Sequence, residues 1–142
     1  MDTIKVRPYS DIFVRYLLGD EKNKDLLISF INAVNKDSNF TLIKDVTIKN
    51  PVNFKNFRSD KESILDIKGI DEQGKQYDIE VQVTEYSFIQ RSLYYWAKFY
   101  SSQLNAGSEY HALKPVICIN ILTFDLIPDS KSSHACFMLL EK

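Results

Sequence analysis

The sequence predicts an α/β fold, a mixed β-sheet with helical cover in the order helix, helix, three strands, helix, two strands. Three observations predict it. Apolar residues recur at helical spacing in separate stretches before and after the middle of the chain. Two alternating runs flank a short Gly-containing polar loop, a hairpin signal. A near-continuous apolar run opens just after Pro115, as a strand covered on both faces would.

The elements follow in order. Ser10 or Asp11 is placed to cap a helix through Ile12, Phe13, Tyr16 and Leu17, and Gly19 to end it. A second helix runs from about Lys22 to Val34, with Leu26, Leu27, Phe30, Ile31 and Val34 on one face. A short strand is expected around Ile43–Ile48, then an irregular polar segment from Asn50 to Asp60. The hairpin comes next, Lys61 to Ile70 and Gln76 to Val83 around Asp71-Glu72-Gln73-Gly74-Lys75. A long helix, Ser87 to Leu104, is expected to bury Ile89, Leu93, Trp96, Tyr100 and Leu104. Val116 to Leu122 forms the apolar strand, and a last strand is expected from His134 to Leu140.

At 142 residues and 44% hydrophobic, the chain can bury one core and is short for two, so residues 1–142 read as a single domain. Nine Phe and eight Tyr with only four Gly and four Pro exclude disordered and collagen-like classes. The 18 basic and 19 acidic residues lack the excess that many compact nucleic-acid binders carry. Cys118 and Cys136 have no second ligand at metal-site spacing and read as buried thiols in a reducing compartment. No secretory segment and no apolar run of membrane-spanning length is present, so a cytoplasmic location without membrane contact is expected. His111 and His134 lack partners at such spacing and read as loop or surface histidines.

The hairpin carries the chemistry. If Ile70 pairs with Gln76, paired residue numbers sum to 146. Leu65, Ile67, Gly69, Tyr77, Ile79 and Val81 then share one apolar face, and a slip of one residue would scramble it. The opposite face sets Asp66 across from Glu80, Lys68 across from Asp78 and Ile64 across from Gln82. Facing residues have side-chain roots about 4.5–5.5 Å apart, and like charges at that range need compensation. A shared proton, a basic neighbour such as Lys68, or a hard cation supplies it. Magnesium suits one or two carboxylates, keeps waters and leaves room for phosphate. Such an ion lowers the pKa of water and stabilises charge on a phosphate under displacement. A solvated hairpin face is the plain alternative.

Several segments resemble the Rpn family of recombination-promoting nucleases and putative transposases, a branch of the PD-(D/E)xK nuclease superfamily. They are Asp11-Ile12-Phe13-Val14-Arg15-Tyr16-Leu17-Leu18-Gly19, Ser63 to Lys68, Tyr77 to Gln82, Arg91 to Lys98, Tyr100 to Leu104, Leu113 to Ile117, and Ile119 to Leu122. The resemblance runs along nearly the whole chain. It implies a restriction-endonuclease-like core of helix, three strands, helix and strand. It also implies a metal-dependent DNA endonuclease linked to recombination or mobile elements, using Mg2+ or Mn2+. Asp66 and Glu80 match the superfamily's two strand-borne acids, and the Val81 main-chain carbonyl matches a further metal ligand. Gln82 stands where the superfamily usually keeps lysine, and Leu65 where its name puts proline; an amide orients water or phosphate but carries no charge.

Asp11 matches an acidic position of the first helix, and serves equally as a cap or first-turn acid. Arg91 and Lys98 lie on one side of the long helix, where they meet phosphate or solvent. Tyr94 and Tyr95 suit stacking on a splayed base or core packing. Members of the family are typically longer at the C-terminus, so the chain reads as a natural short form or as a fragment, with a homo-oligomer or a full-length family member as expected partners beside DNA. A non-catalytic binding or regulatory short form is the alternative class, and an RNA-directed nuclease a third.

Overall fold

The computed structural model describes residues 7–49 and 66–140. Helices α1 (Asp11–Leu18) and α2 (Lys24–Asp37) precede strands β1 (Val46–Ile48), β2 (Ile67–Asp71) and β3 (Gln76–Gln82), and α3 (Phe88–Ser101) leads to β4 (Val116–Leu122). The strands lie in the order β1-β2-β3-β4. β1, β2 and β3 pair antiparallel, whereas β4 lies parallel to β3, with α3 as the crossover. This is the mixed sheet flanked by helices expected from the sequence. No helix among the described residues is long and apolar enough to cross a membrane.

Local chemistry sets the helix ends. The Ser10 hydroxyl accepts from the Phe13 amide, so Ser10 caps α1 and Asp11 is its first helical residue. Gly19 follows its last turn, with its amide donating to the Arg15 carbonyl. The α2 region starts later than expected, because Asp20 caps a short 3-10 turn at Glu21–Asn23 first. α2 also runs further, to Asp37.

The hairpin has the register expected from its alternation: Ile67 pairs with Ile79, Lys68 with Asp78, Gly69 with Tyr77 and Ile70 with Gln76. Asp71 holds the loop by accepting the amides of Gln73 and Lys75, each at 2.9 Å. Gly74 adopts φ 85°, a left-handed conformation that glycine takes without strain. The expected pairs Leu65–Val81 and Ile64–Gln82, and the irregular segment from Asn50 to Asp60, lie outside the described residues.

The two sheet faces differ. Ile67, Tyr77 and Ile79 turn into a core shared with Val14 and Leu18 of α1, Leu27 and Ile31 of α2, and Val46 and Ile48 of β1. Gly69 is needed there, since a Cβ would sit 2.7 Å from a Val46 methyl. Tyr77 is fully buried, and its hydroxyl accepts from Asn35 Nδ2 at 3.2 Å. The other face, beneath α3, is polar.

Five expectations need correction. The inward face of α1 is Val14 and Leu18, with Ile12 and Tyr16 exposed, because the sheet lies one step round the helix. Leu26 of α2 is exposed, and Asn35 is buried in its place at the end of the stripe. Ile89 and Leu93 of α3 are also exposed; Phe88, Arg91 and Ser92 turn toward the sheet, whose polar face favours them over aliphatic chains. β4 is a half-buried edge strand, with only Val116 and Ile119 buried. Residues 134–140 form no strand, as no ladder partner reaches them, and Phe137, Leu139, Leu140 and Cys136 are exposed.

Candidate metal centre

Strand alternation builds the site. Asp66 enters β2, and Asp78 and Glu80 are two apart on β3, so all three carboxylates emerge from one face. One oxygen from each lies within 4.8 Å of the others. Asp66 and Asp78 are buried, each only 6% exposed, and Glu80 is half-buried. Oxygen ligands packed this closely repel one another when ionised. Burial, together with the charges of Asp66 and Glu80, pushes the Asp78 carboxyl up to about 7. Burial and Asp66 likewise raise Glu80, against the opposing pull of Gln82, Lys68 and Arg91. Asp78 Oδ1 is buried without a hydrogen-bond partner among the described residues. Such an orphan acceptor is unusual in a native interior.

Basic groups ring the acids. The Lys68 ammonium lies 3.0 Å from Asp66 Oδ2 and 5.3 Å above the Phe99 ring of α3. Burial acts to lower its pKa, but its bond to Asp66 and the charges of Asp66, Asp78 and Glu80 outweigh that and leave it raised. From α1, the Arg15 guanidinium donates to the Asp66 carbonyl. From α3, Arg91 Nη2 donates to Gln82 Oε1 at 2.9 Å, and Gln82 Nε2 donates to Glu80 Oε2 at 2.5 Å.

Main-chain direction adds a further donor. The Gln82 carbonyl accepts from Thr123 N at 3.1 Å, on the β4 side of β3. Alternation turns the neighbouring Val81 carbonyl to the opposite edge, the side from which Asp66 arrives. Three carboxylates, one carbonyl and an unpartnered buried oxygen fit a hard divalent cation such as magnesium or manganese.

An open groove of about 680 Å³ runs over this cluster. Asp11, Asp66, Glu80, Val81, Gln82, Arg91 and Lys98 all line it. Asp11 enters from the first turn of α1, its side chain not needed for the cap that Ser10 supplies. Arg91 is half-buried against Gln82, whereas Lys98 is exposed at the groove's rim. Tyr95 lines the groove too, packed edge-on against the more exposed Tyr94 with ring centroids 5.3 Å apart.

Hairpin alternation puts Asp78 on the polar face, and nothing in the sequence alone gives it a part in the site. The signal that marks it is positional: it shares parity with Glu80, and the hairpin register puts it beside Lys68. Cys118 of β4 lies behind the acids, and burial, with Asp78 and Glu80 nearby, pushes its thiol up to about 12.

The family described as PD-(D/E)XK nuclease family transposase matches residues 8–142. The chain belongs to this family. Its mixed sheet flanked by helices is therefore the restriction-endonuclease-like sheet of the PD-(D/E)XK proteins, and the acid cluster lies where β2 begins and on β3 of that sheet. PD-(D/E)XK proteins are generally nucleases that use divalent metals, and a nuclease family implies DNA as substrate. No curated protein and no solved structure matches the chain.

Proposed function

We propose that the protein is a metal-dependent DNA endonuclease that hydrolyses phosphodiester bonds. The observation that carries the proposal is the convergence of the Asp66, Asp78 and Glu80 carboxylates within 4.8 Å at the floor of an open groove. Asp66, Glu80 and the Val81 carbonyl are assigned to the ion, with Asp78 a further acid at the same place and Asp11 closing the cluster from α1. Magnesium, or manganese in its place, supplies Lewis-acid stabilisation of the phosphate and acidifies water. The chain's own residues do the rest. The acids neutralise the ion and fix its position, Gln82 orients Glu80, and exposed Lys98 engages the DNA backbone. The groove is open to solvent along its lining residues, which suits an extended phosphate chain. The family's description as a transposase supports activity on mobile or recombining DNA, and residues 1–142 are taken as one catalytic domain. Two free thiols, Cys118 and Cys136, accord with a reducing cytoplasm.

The test is nicking of supercoiled plasmid by the purified chain with magnesium, with manganese and with chelator, beside Asp66→Ala and Glu80→Ala. Metal-dependent nicking lost in both variants is expected; nicking that survives both substitutions would sink the assignment. An RNA competitor run alongside fixes which sugar the groove prefers.

A second reading has its own observation. Ile89, Leu93 and Tyr94 of α3, and Tyr86 in the turn before it, are all more than half exposed. An apolar ridge of that kind marks a contact surface. A regulatory form that pairs with a second copy or a longer relative would use it. An inactive chain that is a concentration-dependent oligomer supports this second reading over the first.

A further inference from the structure

By its resemblance to the superfamily, the chain has Gln82 where a lysine is usual, and a neutral amide cannot replace that charge. The geometry points to Arg91 as the residue that supplies the missing charge: we propose that it is a positioning residue acting on Glu80 through Gln82. The inference rests on the nuclease reading, and it assigns the cation to α3 rather than to β3.

The relay is fixed by chemistry at both ends. A guanidinium only donates and a carboxylate only accepts. Lying between them, the Gln82 carboxamide has one orientation that satisfies both: oxygen toward Arg91, nitrogen toward Glu80. The observed bonds run that way, Arg91 Nη2 to Gln82 Oε1 at 2.9 Å and Gln82 Nε2 to Glu80 Oε2 at 2.5 Å. The Thr84 carbonyl, 3.4 Å from the same Nη2, ties the guanidinium to the segment after β3. Charge-assisted bonds at each end polarise the amide, so part of the positive charge is felt at Glu80. With Oε2 held, Glu80 keeps Oε1 for the ion and loses its freedom to rotate away.

A second observation comes from behind the relay. Arg91 Nε is buried without a hydrogen-bond partner among the described residues. A cavity of about 20 Å³ lies beside it, lined by Asp78, Glu80, Cys118 and Asn120 among others. That volume and its polar walls suit one water molecule. Arg91 thus turns its fork to Gln82 and lines a cavity shared with Asp78 and Glu80, and is spent on the site rather than on DNA. The two helix cations expected to share the phosphate therefore divide: Lys98 is left for the backbone, and Arg91 serves the acids.

The test combines Arg91→Met and Gln82→Lys, singly and together, in the full chain. Folding is checked by circular dichroism, with Arg91→Gln replacing the methionine variant if that one unfolds. Three quantities are read: the magnesium-dependent nicking rate, duplex affinity with calcium in place of magnesium, and the side-chain amide resonances of Gln82. Loss of an outer-shell partner typically costs about 10–100-fold. R91M is expected to lower the nicking rate by about that factor, to leave DNA affinity unchanged, and to shift the Gln82 amide pair. In the Gln82→Lys background, where a lysine reaches the acids directly, R91M is expected to cost nothing. Equal cost in both backgrounds, a loss of DNA affinity matching the loss of rate, or Gln82 resonances unmoved by R91M would each overturn the relay. If the wild type never cuts DNA, the nuclease reading fails by itself, and the amide resonances still decide the relay.

Discussion

Replacing Asp78 by asparagine removes one charge from the acid cluster while keeping its size, and the new amide can donate to Asp66. The wild-type carboxyl is held up to about 7, against an ordinary 3.8, by burial and by the charges of Asp66 and Glu80. Between about pH 4 and pH 7 the folded chain therefore keeps a proton that the unfolded chain has released. A group raised in this way contributes stability that is fully present below its unfolded pKa and is lost as pH rises through the folded one. The slope for one proton is about 1.4 kcal/mol per pH unit, so the full interval is worth roughly 4 kcal/mol at most. Asp78 is 6% exposed, so solvent does little to screen this. The residual cost is expected as a fall in urea midpoint from acid to neutral pH in metal-free wild type. Asp78→Asn is expected to flatten that fall and to be the more stable protein at pH 8, by roughly 2–3 kcal/mol after relaxation. Glu80, raised in the same direction, contributes with the same sign. Urea unfolding followed by circular dichroism at half-unit steps, with chelator throughout, measures all of this. Parallel curves for the two proteins, equally steep, would refute the electrostatic account. Magnesium adds the complementary arm. At 100 times its Kd a ligand stabilises by about 2.7 kcal/mol. That gain should grow with pH in the wild type, where ion and proton compete, and show less pH dependence in Asp78→Asn.

Gly69→Ala is expected to destabilise the chain by about 1–3 kcal/mol in the same unfolding assay, because its Cβ would meet the Val46 methyl at 2.7 Å. A variant as stable as wild type would mean that β1 moves aside freely. Lys98→Ala should weaken duplex binding and lower the log–log salt slope by about 1, with the nicking rate at saturating DNA unchanged. An unaltered slope would remove Lys98 from the DNA backbone. A thiol reagent at pH 8 should modify exposed Cys136 rapidly and spare Cys118, whose thiol is pushed up to about 12; mass spectrometry of the labelled peptides distinguishes the two.

Much of the hairpin was legible because its two faces obey one rule. A period of two, apolar at Ile67, Gly69, Tyr77 and Ile79 and polar at Asp66, Lys68, Asp78 and Glu80, excludes a slip of one residue, and with the five-residue loop Asp71 to Lys75 it gives the pairing found. The same rule carried Asp66 and Glu80 to one face, and it carried Asp78 there with no further signal of its depth. Burial of a carboxylate is decided by what covers the face, and the cover here comes from α3 and from α1, distant in sequence. The α1 cap was legible for a local reason: Ser10 needs only the Phe13 amide.

The long helix shows where periodicity stops informing. Ile89, Leu93, Trp96 and Tyr100 make a regular apolar stripe, and the hydrophobic effect alone would turn it inward. The surface it meets carries Asp78 and Glu80 and is not apolar. Burying aliphatic side chains over ionised or shared carboxylates would leave the acids without hydrogen-bonding partners, and that cost exceeds what a few exposed methyl groups forfeit. The helix therefore sits rotated, with Phe88 and Trp96 packing at its margins, Trp96 Nε1 donating to the Val116 carbonyl at 3.1 Å, and Arg91 at the centre. The rotation delivers a guanidinium to Gln82 and displaces the apolar stripe toward solvent. One cause, an acidic sheet face, thus accounts for both the exposed ridge of α3 and the cation at the candidate metal centre.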